Sequence, residues 1–294
     1  MRYLILIIAI LFFSSCEKTE KIEDYPLHKS QLVVNCFFSP DSAIKLYMYK
    51  SLSPLDNAPF KELIHNNAYV KLYENDVFFD SFGYDINQQC YYSHKFPKPN
   101  VKYKFEAYFP RYEKVYGEDI SPDLMELKEV KVSKFLKKFD NSNVLTLNID
   151  LSFSDIHRNN DFMIIEVNRL IKSDTNGYFY FYENLDDLTL NNKIYEFEKI
   201  DNKLYVKTNG QKLTSISIRR ESREYTYNNF QNQDSLQIQV TNCSKNTFEY
   251  IRRLHIQQYN LDDPFAEPIP MSNNILNGYG VFGGLTFYKS NIKF

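Results

Sequence analysis

The chain has 294 residues, of which 43% are hydrophobic and 24% charged, and its formal net charge is -2 at pH 7. This balance is typical of a globular protein with sizeable cores, and it excludes a disordered or membrane-embedded chain. No stretch concentrates Lys or Arg, so we expect no nucleic-acid partner. The 24 Tyr and 24 Phe residues, against only 8 Gly, favour β-strands.

The first residues have the pattern of a secretion signal. A positive start at Arg2 leads into an unbroken apolar run, Tyr3 to Phe13, and two serines then precede Cys16. The run is about half of the ~20 residues that a transmembrane helix needs, so residues 1–15 are predicted to be a removed signal peptide. Small residues before a cysteine resemble the lipobox of bacterial lipoproteins. Cys16 is therefore expected to be lipidated, with palmitate among its acyl chains; an ordinary secreted protein with an incidental cysteine is the alternative.

Residues 16–30 are predicted to be a lipidated tether, because Glu17 to Asp24 is polar and has no apolar period. Several acyl chains would hold the protein on the outer membrane almost permanently. Acidic residues just after the cysteine resemble surface-export signals of Bacteroidota lipoproteins. They favour the cell surface over the periplasmic face of that membrane.

Three cysteines remain once Cys16 is lipidated. Cys36 and Cys90 both lie in strand-like stretches, and they could form a disulfide across a sandwich. Two buried free thiols are the alternative, because sequence alone does not fix the geometry that a disulfide requires. Cys243 has no obvious partner.

Residues 31–121 contain about seven short strand patterns separated by turn residues. Leu32 to Phe38 and Val101 to Phe109 both alternate with a period of two. Short strands at this spacing predict an immunoglobulin-like or transthyretin-like β-sandwich. The polar stretch Ser121-Pro122-Asp123 then predicts a domain boundary.

Residues 122–294 contain longer strand patterns, which predict a second β-rich domain, either a larger β-sandwich or a barrel. One helix is predicted near residues 245–259, because Ser244 is a good N-cap and Phe248, Ile251 and Leu254 recur at helical spacing. Half of the glycines fall between Gly278 and Gly284. Backbone there is expected to turn sharply or to approach another segment closely.

The sequence offers one candidate ligand surface and no catalytic site. Tyr178, Tyr180 and Tyr182 alternate along a strand-like run and could form an exposed aromatic platform for a sugar or a peptide. A strand that is covered on both faces is the alternative. The five histidines lack zinc-site spacing, no nucleophile motif occurs, and the acidic pairs, among them Glu118-Asp119, are interpreted as loop acids. We therefore predict no catalytic residue, metal or cofactor.

Eight short blocks, in a fixed order along the chain, carry a family resemblance. They are Cys16, Leu32–Phe38, Asn67–Tyr73, Pro99–Phe105, Ser244–Tyr250, Pro264–Pro268, Ser272–Asn274 and Gly278–Gly284. Together they resemble the Bacteroidota lipoproteins of domain of unknown function 4249, which are often encoded next to TonB-dependent receptors. Asn100 and Asn277 stand where that family commonly has glycine, and asparagine tolerates left-handed turns.

The expected function follows from the anchor, the β architecture and the resemblance. We expect an outer-membrane lipoprotein that is not an enzyme and that serves a TonB-dependent receptor as an accessory or ligand-binding partner. A structural or assembly lipoprotein of the cell envelope without a small ligand is the alternative from another class. A surface hydrolase is the third hypothesis.

Overall fold

The computed structural model describes residues 28–293 with internal gaps. The gaps are 54–55, 57–58, 60–65, 126, 140–141, 154–161, 173–177, 182–195, 201–202, 211–213, 223–234, 262 and 264. The described residues are mainly β, as the alternating patterns predict. The predicted signal peptide, Cys16 and most of the predicted tether lie outside the described residues.

Strands account for most of the described chain, and one described helix, α1, spans Lys245–Tyr259. The strands are β1 (Leu32–Phe38), β2 (Lys45–Lys50), β3 (Tyr69–Glu74), β4 (Val77–Ser81), β5 (Gly83–Asp85), β6 (Cys90–Tyr92), β7 (Lys102–Tyr108), β8 (Val115–Ile120), β9 (Leu127–Phe139), β10 (Ser142–Phe153), β11 (Phe162–Lys172), β12 (Tyr178–Phe181), β13 (Glu196–Ile200), β14 (Lys203–Lys207), β15 (Ser215–Ser222), β16 (Ser235–Cys243) and β17 (Tyr279–Lys293).

A ten-stranded sheet extends through the whole described structure. Its order is β13-β14-β11-β16-β17-β1-β2-β6-β5, with β12 also paired to β11. Strand β17 joins the two halves, because Tyr279–Gly284 pairs with β1 in parallel and Leu285–Lys293 pairs with β16 in antiparallel orientation. The last strand of the chain thus belongs to both halves of this sheet.

The first β-sandwich forms where the four-stranded sheet β4-β3-β7-β8 packs against β1, β2, β6 and the start of β17. Its core alternates along each strand, as in the buried Leu32, Val34 and Cys36 of β1. Phe282 of β17 and Ile275 belong to the same core. The C-terminal segment therefore completes a sandwich that the sequence pattern placed within residues 31–121 alone.

The second β-sandwich forms where the three-stranded sheet β15-β10-β9 covers β11, β14 and β16. Its core includes Leu147, Ile149 and Leu151 of β10, which face Ile165 of β11 and Ile238 of β16 within one cluster. Of the two arrangements expected for residues 122–294, the described strands form the sandwich.

Helix α1 begins where the sequence predicts. The Ser244 side chain accepts a hydrogen bond from the Thr247 N–H at 3.2 Å and so caps the helix. The helix packs on the other face of the β11-β14-β16 region, where its Phe248 is fully buried with Ile164 and Tyr205. Within the described ranges, no helix is both long enough and apolar enough to cross a bilayer.

Close backbone approach explains the glycine-rich start of β17. A Cβ at Gly280, whose φ is +112°, would overlap the Val34 carbonyl oxygen of the neighbouring strand. A Cβ at Gly283 would overlap the Thr247 hydroxyl on the first turn of α1. The glycines thus let β1 and the helix pack directly on β17, which confirms the expected close approach.

Two asparagines occupy left-handed backbone positions. Asn100 has a φ of +58° and Asn277 a φ of +61°. Asn277 also uses its side-chain amide to donate to the Lys114 carbonyl at 3.1 Å. Both positions therefore accept asparagine where glycine would also fit, as the tolerance of asparagine for left-handed turns predicts.

The three described cysteines, Cys36, Cys90 and Cys243, are free thiols, and the possible Cys36–Cys90 disulfide is not formed. Strand β2 lies between their two strands, which separates them by two strand spacings of about 4.8 Å each. A disulfide requires the two Cα atoms to lie within about 7 Å. The side chains also diverge, because Cys36 shares a core with Tyr91 and Cys90, next to Tyr91, projects to the other face.

Candidate functional site

An open cleft of about 490 Å³ lies between helix α1 and the β13-β14 hairpin. It is lined by residues of these three elements: Glu196, Phe197, Glu198, Tyr205, Lys207, Phe248 and Arg252. A volume of this size lies within the range of sites that bind small molecules or short peptide segments. The cleft is our candidate functional site.

Aromatic rings form the floor of the cleft. The rings of Tyr205 and Phe248 meet edge to face with their centroids 5.5 Å apart, and Phe162 packs behind Phe248 at 5.2 Å. Phe197 of β13 is 46% exposed and pairs with Val206, whose side chain belongs to the second core, so its ring lies on the other face of the strand from Glu196 and Glu198. The Tyr205 and Phe248 rings alone therefore offer an apolar floor to a ligand that enters the cleft.

Both cations of the cleft are already paired with acids. Lys207 lies 3.0 Å from a Glu249 oxygen, and its ammonium sits 5.5 Å above the Phe248 ring. Arg252 donates to Glu198, and this hydrogen bond raises the pKa of Arg252. A second Arg252 nitrogen lies 3.8 Å from Glu249. These pairs fix the charged wall of the cleft.

Glu196 differs from the other charged residues of the cleft. Its only hydrogen bond among the described residues comes from the Asn209 side-chain amide at 3.3 Å, and it forms no ion pair with them. The carboxylate is exposed at the mouth of the cleft. It is therefore available to a cationic group of a ligand.

A polar chain lies behind the cleft. The Lys203 ammonium is 3.0 Å from Glu166 and 3.2 Å from Nε2 of His255, and Nδ1 of His255 is hydrogen-bonded to the Tyr205 hydroxyl. Because an ammonium only donates, Nε2 of a neutral imidazole accepts here and its Nδ1–H donates to Tyr205. Burial raises the pKa of Tyr205 well above its ordinary value. The Tyr205 phenol therefore stays protonated at neutral pH. Its hydrogen bond with His255 fixes the orientation of the Tyr205 ring in the floor of the cleft.

A half-buried carboxyl group, that of Asp119, holds the start of the helix wall. Asp119 of β8 accepts hydrogen bonds from the Ser244 hydroxyl, from its neighbouring Ile120 N–H at 2.8 Å and from the Gly284 N–H at 3.4 Å. Burial raises the pKa of Asp119 to about 6, and the bonds from Ser244 and the backbone amides only partly offset this. Asp119 thus connects β8, the N-cap of α1 and β17.

Asp119 corrects the interpretation of Glu118-Asp119 as loop acids, since both residues lie on β8. The strand alternates with Val115 and Gly117 buried, and Asp119 follows them on the same face. That period of two is the signal from which an inward-facing acid could have been predicted.

The residues predicted as a ligand platform do not join the cleft among the described contacts. Tyr178 and Tyr180 lie on β12, where they pair with Lys172 and Leu170 of β11. Their side chains, and Tyr182 altogether, lie outside the described residues. The aromatic platform stays a prediction, as does the lipidation of Cys16.

Sequence reasoning missed most of the cleft. Phe248 was singled out for its place in the helix, but the acids and cations were not. They come from β13 and β14, which are neighbours along the chain, and from α1, which begins only at Lys245, and no short motif contains them. In the described ranges no three His, Cys, Asp or Glu side chains lie close enough to hold a metal ion.

Comparisons with known proteins place the chain in a family. No match was found among curated proteins. A family model matches residues 18–290, a span that contains the cleft, helix α1, most of β17 and all of the resembling blocks except Cys16. The chain therefore belongs to the family described as Domain of unknown function (DUF4249).

Proposed function

We propose that the protein is a lipid-anchored, non-enzymatic binding module of the outer membrane that works with a TonB-dependent receptor. The observation that carries the binding role is the cleft, which combines an aromatic floor with an acid, Glu196, that has no ion pair among the described residues. Ligand sites commonly have this composition, with apolar walls and a few polar groups that set orientation.

The described start of the chain and the cleft belong to different parts of the sheet. The described chain begins beside the β1-β2 pair, where His28 and Ser30 hydrogen-bond to Ser51 at 2.9 Å each. In the strand order, β17, β16, β11 and β14 stand between β1 and β13. The first described residues therefore do not line the cleft.

The buried thiols and the phenol of the cleft are held in their protonated forms. Burial raises the pKa of the Cys36 and Cys243 thiols far above neutral pH. Thiols in this state are poor nucleophiles, because the thiolate is the reactive form. Tyr205, the phenol of the cleft, is held protonated for the same reason.

The receptor partnership is what the family resemblance implies, and co-purification tests it. The full lipoprotein, tagged at its C-terminus, would be captured from detergent-solubilised outer membranes of its native host. We expect a TonB-dependent receptor to co-purify in a fixed ratio. Recovery without any receptor would refute the accessory role and favour the assembly lipoprotein.

The anchor has its own test. A Cys16→Ser variant should lose labelling with radioactive palmitate and leave the membrane fraction, whereas a Cys90→Ser variant, changed at a buried free thiol, should keep both. Equal membrane retention of the Cys16→Ser variant would refute the lipid anchor.

A further inference from the structure

We infer that the cleft binds an extended peptide, which pairs with the edge of β13 that no described strand covers and places a cationic side chain beside Glu196. The inference rests on the proposed binding role and names its ligand class. It is argued from the position of β13 in the sheet, from the course of the cleft and from its charges.

Strand β13 ends the ten-stranded sheet on its side, with β14 as its paired neighbour among the described strands. The pairing is antiparallel and continuous from Glu196 opposite Lys207 to Ile200 opposite Lys203. In such a pair, alternate residues of an edge strand turn their N–H and C=O groups away from the neighbour. These groups form a row that an added strand can bond.

The cleft follows this edge of β13. It is lined by three successive residues of the strand, Glu196, Phe197 and Glu198. Successive side chains of a strand point to opposite faces, so a cavity on one face alone would meet every second residue. The cleft therefore reaches the backbone along the strand edge, between β13 and the helix residue Arg252.

The charged residues of the cleft indicate whether the bound peptide is acidic or basic. Lys207 and Arg252 are already paired with Glu249 and Glu198, so an acidic ligand would have to break these ion pairs. Glu196 has no ion pair among the described residues, and a Lys or Arg of the ligand would supply one. The neighbouring exposed Phe197 would pack on an apolar side chain of the same segment.

A peptide fits this edge better than a saccharide does. An added strand bonds several N–H and C=O groups of β13 in register, which is the general mode of strand addition to a sheet edge. Sugar hydroxyl groups lack that repeat. The expected ligand is thus an extended segment in which basic and apolar residues are neighbours.

The test uses the full lipoprotein in detergent and a phage-displayed library of random dodecapeptides. We expect the selected sequences to share a Lys or Arg next to apolar residues. The tightest one would be synthesised twice, once unmodified and once with N-methyl groups on alternate backbone amides. N-methylation removes strand hydrogen bonds, so we expect binding to weaken about tenfold or more in fluorescence anisotropy.

A matched pair of charge reversals tests the side-chain contact. Glu196→Lys should weaken binding of the unmodified peptide about three- to tenfold, the range of one exposed ion pair replaced by repulsion. Glu113→Lys, at an exposed acid of the first sandwich, should leave the affinity unchanged. Circular dichroism of both variants checks that they fold alike.

Three results would each overturn the inference: no enriched sequence, equal binding of the N-methylated peptide, or full affinity of the Glu196→Lys variant. Receptor co-purification separates this failure from failure of the proposed function. If the receptor is recovered while peptides fail, only the ligand class is wrong. If peptides bind while no receptor is recovered, the receptor partnership is wrong and the peptide site stands.

Discussion

Replacing Asp119 by asparagine should change how stability depends on pH. In the folded protein its half-buried carboxyl group accepts hydrogen bonds from the N-cap Ser244 and from the Gly284 N–H. Burial raises its pKa from the ordinary 3.8 to about 6. Asparagine has nearly the same shape as the protonated carboxyl group and cannot ionise, so Asp119→Asn isolates the effect of the charge.

The magnitude follows from the two pKa values. Between pH 3.8 and about 6 the folded state holds a proton on Asp119 that the unfolded state has released, so the contribution of Asp119 to stability falls as pH rises. The contribution is complete below pH 3.8 and is lost above about pH 6. At 1.36 kcal/mol per pKa unit the loss is about 3 kcal/mol.

Urea unfolding followed by circular dichroism, repeated from pH 3.5 to pH 7.5, measures this loss. We expect the free energy of unfolding of the wild type, relative to Asp119→Asn, to decrease by about 3 kcal/mol over that range. Asp76→Asn is the control, because the exposed Asp76 has a pKa lowered by its bond with Lys102, and the sign of its pH dependence is opposite. A constant difference between wild type and Asp119→Asn would refute the reasoning.

Three further predictions test the fold. Gly280→Ala should destabilise the protein by about 3 kcal/mol or more in thermal unfolding, whereas Gly210→Ala, also at positive φ but with open space around it, should cost about 1 kcal/mol. Ser244→Ala should cost about 1 kcal/mol in the same assay, and an unchanged Tm would contradict its role as N-cap. Iodoacetamide in urea without reductant should alkylate both Cys36 and Cys90, and a mass that rises only after reduction would contradict the free thiols.

Local patterns were enough to predict many elements. The alternation in Leu32 to Phe38 and the N-cap Ser244 with its helical spacing correspond to β1 and α1 as observed. Each of these signals depends on residues that are neighbours along the chain. A strand with one buried face repeats every two residues, and a helix with one buried stripe repeats about every 3.6.

The candidate site could not be predicted from local sequence patterns. The cleft needs Glu196, Lys207 and Arg252 to meet, and their meeting depends on which strand pairs with which and on the face that receives the helix. Asp119 was misjudged for the same reason, since its burial depends on Ser244 and Gly284 far along the chain.

The sequence by itself determined the class of fold, the helix start, the close backbone approach around Gly280 and the tolerance of Asn277 for a left-handed turn. Only the tertiary structure decided that β17 joins both sandwiches, that Cys36 and Cys90 stay apart, and that β13 is the last described strand of its sheet and lies beside a helix. The reason is physical: a periodic pattern shows which face of an element is apolar, but strand order is fixed by packing between distant segments.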